Sequence, residues 1–128
     1  DVYEYFELLI EEVRDSYDSY ITINLDIKTK LKIEDTIYCG LIINELITNS
    51  FKYAFPNKNG NINVSLEKEN ENVKLVVCDD GIGFDKNSKT SSLGLTLVKT
   101  LAVNQLRGKI DIDTKNGVST TIIWNENE

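Results

Sequence analysis

The spacing of apolar and polar positions divides the chain into helices and strands. Over residues 3–17, YEYFELLIEEVRDSY, the side chains Tyr3, Phe6, Leu9 or Ile10, and Val13 recur at helical spacing and predict a first helix. YITINLD, residues 20–26, alternates with period two and predicts a strand, with KTKLKI adding a short second one. From about Ile33 to Phe55 the pattern predicts one long helix, with Ile37, Leu41, Ile42, Leu46 and Phe51 as its apolar face. Asp35 suits the N-terminal end of that helix, Pro56 stops it and NKNG turns the chain. NINVSLEKEN and VKLVVCD flank a turn at 70–72 and predict a β-hairpin. The polar run DKNSKTSS has no periodicity and reads as a mobile loop. LGLTLVKTLAVNQL then predicts a helix with Leu93, Leu97, Val98 and Leu101 toward the core, and GKIDID and VSTTIIW a closing hairpin around TKNG. This order, without repeats, predicts a single α+β domain over 1–128. The expected architecture is a two-layer sandwich of a mixed β-sheet with about three helices on one face.

Charge and composition then narrow the function. Fourteen Lys plus Arg stand against 21 Asp plus Glu, a net charge of −7, which argues against nucleic-acid binding because that needs a basic footprint. No apolar run approaches the roughly 18 residues of a membrane span, so direct membrane contact is not expected. The acidic start DVYEYFELLIEEV lacks the basic flank of a signal peptide, and a cytoplasmic location is expected. Cys39 and Cys78 are far apart, form no CxxC pair and sit among apolar residues, as buried free thiols do. The chain has no histidine, which removes a Ser–His–Asp triad, a His-ligated metal and a histidine acid–base.

Three motifs carry candidate chemistry. In NELITNSFKY, Glu45, Asn49 and Lys52 follow one another at steps of four and three, on one stripe of the long helix. A solvated polar ladder is the bland explanation. Asn strains it, being a poor helix former and a good oxygen ligand for Mg²⁺, while Glu one turn away can hold a proton and Lys can neutralise a phosphate. In DDGIGF, Asp79 leaves an apolar strand beside Gly81 and Gly83. A turn also uses Asp-Gly, but a carboxylate leaving a buried strand needs a partner, and the exocyclic amine of a purine is one. In SSLGLTLV, Ser91 or Ser92 can cap a helix whose first turn holds Gly94, either as a packing glycine or as a phosphate cradle of free N–H groups. Neither a P-loop nor a dinucleotide GxGxxG pattern is present.

In order and spacing these motifs resemble the N box and the two glycine boxes of the GHKL ATPase superfamily, and the resemblance runs from about Asp35 to Trp124. Within it the chain looks most like the catalytic domain of sensor histidine kinases, with LIINELITNSFKYAFP and SLGLTLVKTLAVNQLRGKIDI similar to the HisKA_2-type (HWE-related) subgroup. The resemblance implies the Bergerat fold and an ATP-Mg²⁺ cofactor pair. Asn49 would ligand Mg²⁺, Glu45 would act as the acid–base, and Lys52 and Tyr53 would face the phosphates and ribose. Asp79 would bind the adenine amine, Gly81 and Gly83 would shape its pocket, Leu93, Gly94 and Leu95 would meet phosphate, and residues 84–92 would form the ATP lid. It also implies two partners, a histidine-bearing dimerisation domain and a response regulator receiver domain, with this segment monomeric. Two departures stand out: Ser92 replaces the first glycine of the second glycine box, and Val118 follows Gly117 where a Thr is common. An anti-sigma-type serine protein kinase of the same fold and a non-catalytic nucleotide sensor are the alternatives.

Overall fold

A strand with alternating apolar residues buries one face, and a helix with one apolar stripe can cover it. The computed structural model, which describes residues 1–17, 20–57, 59–82 and 92–126, follows that logic. Helix α1 spans Val2–Asp15, strand β1 Tyr20–Ile27 and helix α2 Ile33–Asn49, which runs on into a π-helical turn, Ser50–Ala54. Strands β2 (Asn59–Glu69) and β3 (Asn72–Asp79) form a hairpin. Helix α3 (Ser92–Thr100) ends in a second π-helical turn, Leu101–Gln105, and strands β4 (Lys109–Asp113) and β5 (Ser119–Asn125) complete the order.

The strands form one mixed sheet of five in the order β1-β2-β3-β5-β4. β1 and β2 are parallel, so the chain must cross over between them, and α2 is that crossover. The remaining neighbours are antiparallel, with Val64 opposite Val77, Leu75 opposite Ile122, and Val77 opposite Thr120. These residues share the covered face with Ile62, Leu66 and Trp124, all buried. The other face is polar: Asn24 donates to Asn63 at 2.9 Å across exposed strand positions, and Lys74 and Asp111 point outward. Phe6 and Ile10 from α1, Ile43 and Ile47 from α2, Val98 from α3 and Leu101 from the π-helical turn after it fill the layer between. Each such side chain, fully buried, contributes about 1.5–3 kcal/mol. Among the described residues no helix is long and apolar enough to cross a membrane.

The expected α+β sandwich is what forms, but several expected details differ. Residues 28–32 form no strand, because the chain leaves the sheet after Ile27 to enter α2; only the Lys28 N–H still reaches Leu66 O, at 2.8 Å. Of the expected apolar face, Ile42, Leu46 and Phe51 are buried, but Ile37 and Leu41 are each 45% exposed, and Cys39, Ile43 and Ile47 are buried as well. α2 is apolar on most sides, so spacing alone does not fix which stripe turns inward. On α3, Leu97 faces outward and Leu95 inward; on α1, Tyr3 is exposed while Phe6, Ile10 and Val13 are buried. Cys39 is fully buried, which pushes its thiol far up and leaves it inert, but Cys78 is only half-buried, out of phase with Val77 and Asp79 on β3.

Asp35 does not project from the helix start. It turns inward, is 5% exposed, and accepts a hydrogen bond from Trp124 Nε1 at 3.3 Å. Burial raises its pKa, and the Trp124 bond and nearby Lys32 only partly oppose that.

Candidate functional site

α2 and its π-helical extension run past the end of β3, and the two polar motifs meet there. The π turn is a sequence-level surprise. Pro56 holds Phe55 at φ −123°, ψ 78°, out of the helical region, and the turn before it widens. Its last carbonyl, Ala54 O, then accepts from the Ile82 N–H at 3.0 Å, which docks the DDGI segment on the helix end. Gly81 sits at that junction. A Cβ there would lie 2.4 Å from Ala54 O, so only glycine allows the approach.

Asp79, at the end of β3, is 7% exposed and well supplied with donors. Its Oδ1 accepts from the Gly81 N–H at 3.0 Å and the Val118 N–H at 3.1 Å. Its Oδ2 lies 2.7 Å from Ser50 Oγ, whose other acceptor within reach is Leu46 O at 3.1 Å. A carboxylate offers about four lone-pair sites and three are taken, which leaves one on Oδ2 of a residue that lines the cleft. Gly117 holds this arrangement from the other side. It has φ +83°, and a Cβ on it would lie 2.1 Å from Asp79 O. Asp80 points away, accepting from Asn61 N–H at 2.8 Å and Asn61 Nδ2 at 2.9 Å, which lowers its pKa and pins β2 to the end of β3.

The second glycine motif lies directly on the helix stripe. A Cβ at Gly94, in the first turn of α3, would be 3.1 Å from Glu45 Oε2 and 3.3 Å from Asn49 Nδ2. Glu45 and Asn49 are half-buried under it. Leu93 and Gly94 stand in the first turn, where N–H groups have no intrahelical partner, while Leu95 buries its side chain in the cleft. The cleft between these parts is lined by Leu46, Asn49, Ser50, Tyr53, Ala54, Val77, Asp79, Leu95, Val118 and Thr120. Lys52 is exposed on the π turn and does not line it. Gly83, Ser91 and loop residues 84–91 lie outside the described residues. A larger groove of about 1190 Å³ lies at the opposite end of α2, lined by Tyr5, Leu31, Ile33 and Ile37 among others; no motif residue borders it.

Two cleft residues escaped sequence reasoning. Ser50 reads as one more small residue in an apolar helix, and only the fold brings it to Asp79. Thr120 carried a signal: in VSTTIIW it falls in the inward phase, between Val118 and Ile122, where a hydroxyl needs an explanation.

Comparison with known proteins gives a consistent picture. Residues 34–126 match the family model described as histidine kinase-, DNA gyrase B-, and HSP90-like ATPase. The chain is 35% identical over 83 residues to the signal transduction histidine-protein kinase/phosphatase DegS of Brevibacillus brevis, covering 64% of this chain and 20% of that protein. It is 28% identical over 88 residues to the sensor histidine kinase PdtaS of Mycobacterium tuberculosis, covering 65% and 18%. The chain thus spans about a fifth of the length of these relatives. Among solved structures, the histidine kinase domain of the Erythrobacter litoralis EL346 blue-light activated histidine kinase superposes with a TM-score of 0.80 at 19% identity, over 96% of this chain and 61% of that one. The mycobacterial sensor histidine kinase MprB gives 0.76 at 21% identity, over 98% and 94%. At these identities the superpositions speak to the fold.

Proposed function

Because the chain belongs to the histidine kinase-, DNA gyrase B- and HSP90-like ATPase family, we propose that it is the Mg·ATP-binding catalytic domain of a sensor histidine kinase, passing the γ-phosphoryl group to a histidine on a separate dimerisation domain. The observation that carries this reading is a cleft that holds both a buried Asp79 with one open acceptor site and Asn49, the latter lying with Glu45 against Gly94 at the start of α3.

The residues fit the ligand. Asp79 accepts from the exocyclic amine of adenine, between apolar walls supplied by Leu46, Val77 and Leu95. The absence of a side chain at Gly94 lets the first turn of α3 come close to Asn49 and Glu45, and the Leu93 and Gly94 N–H groups would meet a phosphate at that helix start. Asn49 Oδ1 is a hard oxygen suited to Mg²⁺, which would offset the charge of the phosphates it shares. Lys52 and Tyr53 would serve the phosphate and ribose side, and Gly83 the mouth of the base pocket. The cleft is narrow, about 20 Å³, between α2, the start of α3 and the ends of β3 and β5.

The transfer itself needs little covalent help. An imidazole nitrogen attacks the γ-phosphorus, the bond to the bridging oxygen breaks, and ADP leaves. Glu45 would take the imidazole N–H proton or orient the ring through it. The acceptor must come from elsewhere, since the chain has no histidine. On this reading 1–128 is one catalytic domain, of the HisKA_2-type subgroup, in a cytoplasmic part of its parent. It would serve a dimerisation domain in the same parent, with a response regulator receiver domain downstream.

The test is to incubate γ-labelled ATP with this domain and the histidine-bearing segment of its parent. Acid-labile phosphate on that segment is expected. Acid-stable phosphoserine, or ATP binding with no transfer, contradicts the histidine-kinase assignment.

A further inference from the structure

Independently of the nucleotide site, we propose that the outer seam between α1 and α2 docks a second copy of this chain in an antiparallel two-fold pair, in place of the monomer that the family resemblance implies.

The seam is apolar where it meets water. Tyr5 and Leu8 on α1 and Ile33, Ile37 and Leu41 on α2 are all exposed, Leu8 by 67% and Ile33 by 79%. Scattered apolar residues on a surface are ordinary, but five on one face mark an interaction site. The two helices lie side by side and run parallel. A Cβ on Gly40 of α2 would lie 2.8 Å from the Tyr5 ring and 2.9 Å from Leu9 Cδ1, and Tyr17, past the end of α1, stacks on Phe51, past the end of α2, with ring centroids 5.1 Å apart. At the amino end that the helices share lies the groove of about 1190 Å³, lined by Tyr5, Ile33 and Ile37.

Because the helices are parallel, the seam has two chemically different ends. The amino end carries Lys28, Lys30 and Lys32, all exposed. Asp26 holds Lys28 at 3.5 Å, and Lys30 and Lys32 make no ion pair among the described residues. Asp1, Glu4 and Glu34 also stand at this end, but each lies at a helix start, where the dipole already engages an acid. The carboxyl end of α1 carries Glu11, Glu12 and Asp15, all exposed. Arg14 binds Glu11 at 3.1 Å, and Glu12 and Asp15 make no ion pair among the described residues.

This surface is complementary to itself. A two-fold axis near Leu8 and Leu41, perpendicular to the helices, lays seam on seam with the directions reversed. Lys30 and Lys32 of each copy then face Glu12 and Asp15 of the other, and the five apolar side chains leave water. A parallel pairing would set like charges together at both ends. The seam is about 20 Å long and two helices wide, roughly 400 Å² a side. Twice that is below the roughly 1,200 Å² of a standard interface, so the pair is weak, with a dissociation constant between about 10 μM and about 1 mM.

Sedimentation equilibrium of the chain up to about 1 mM tests this, with circular dichroism to confirm the fold of each variant. The weight-average mass of wild type should rise with concentration toward twice the monomer's. Leu8→Glu and Leu41→Glu change exposed positions, and each should abolish the rise. The double variants Lys30→Glu/Lys32→Glu and Glu12→Lys/Asp15→Lys oppose like charges in their own pairs and should each stay monomeric. Mixed one to one they should associate as wild type does. A wild type that remains monomeric at about 1 mM overturns the proposal. Association that both leucine variants leave unchanged overturns the surface, and charge variants that do not pair on mixing overturn the antiparallel orientation. No nucleotide enters the measurement, so its failure leaves the ATP assignment standing.

Discussion

The substitution Asp79→Asn separates recognition from folding. An asparagine Oδ1 can still accept from the Gly81 and Val118 N–H groups at 3.0 and 3.1 Å. Its Nδ2 then takes the place of Oδ2, facing Ser50 Oγ at 2.7 Å. Ser50 can adapt by donating to Leu46 O, already within 3.1 Å, and accepting from the amide. Three polar contacts therefore survive, only the Ser50 one with its direction reversed, and the fold loses only charge assistance, about 1–2 kcal/mol. The nucleotide cannot adapt. Its amine is a donor and now meets a second donor at the one open site, so a buried pairing is lost, at a cost of about 1–3 kcal/mol. That is a fall in ATP affinity of roughly 5- to 150-fold. Calorimetric titration of ATP in the presence of Mg²⁺, with circular dichroism to confirm folding, reads it. A folded Asp79→Asn variant with wild-type affinity for ATP would falsify the adenine assignment.

Three further substitutions probe other parts of the account. Gly117→Ala places an L side chain at φ +83° with its Cβ 2.1 Å from Asp79 O, so thermal unfolding should drop by about 10 °C or more, from roughly 1–2 kcal/mol of backbone strain plus the clash; an unchanged midpoint contradicts the geometry. Asp35 has a folded-state pKa raised by burial, so between its unfolded and folded values the folded chain binds the extra proton and stability declines as pH rises through that window. Asp35→Asn keeps an acceptor for Trp124 Nε1 and should flatten that decline, read as the difference between variant and wild-type midpoints from about pH 4 to 7; Glu34 and Glu126, which also push the pKa up, are unchanged in the comparison. Glu45→Gln preserves shape beneath Gly94 and should leave ATP affinity nearly intact while slowing transfer to histidine, by at most about 10²–10⁴-fold; a loss of affinity instead assigns Glu45 to binding.

What could be read from the chain depended on how local each cause was. The period-two runs of β1, β2, β3 and β5 place their inward residues directly, since one flank is apolar and the other is not. α2 is less legible, because Ile37 and Leu41 match the period as well as the residues that are buried, and only the sheet decides which stripe faces in. The motif stripe was legible for Glu45 and Asn49, which are on regular α-helix. Lys52 lies beyond it on the π turn, where i, i+3 spacing, which assumes α geometry, no longer fixes the direction of a side chain. The support around Asp79 comes from Ser50, Gly81 and Val118, three residues from three segments, and no spacing rule joins position 50 to position 118. Asp35 stands in the first turn of α2 as its position suggests, but its Trp124 partner lies 89 residues away, beyond the reach of any local rule.

The central claim is that this cleft is a Mg·ATP site, and direct calorimetric titration of the wild-type domain with ATP, with and without Mg²⁺, tests it. The account predicts one-to-one saturable binding that weakens when Mg²⁺ is withheld and is not matched by GTP, whose base turns a carbonyl toward Asp79. No heat of binding at millimolar ATP with Mg²⁺, or equal affinity for ATP and GTP, contradicts it.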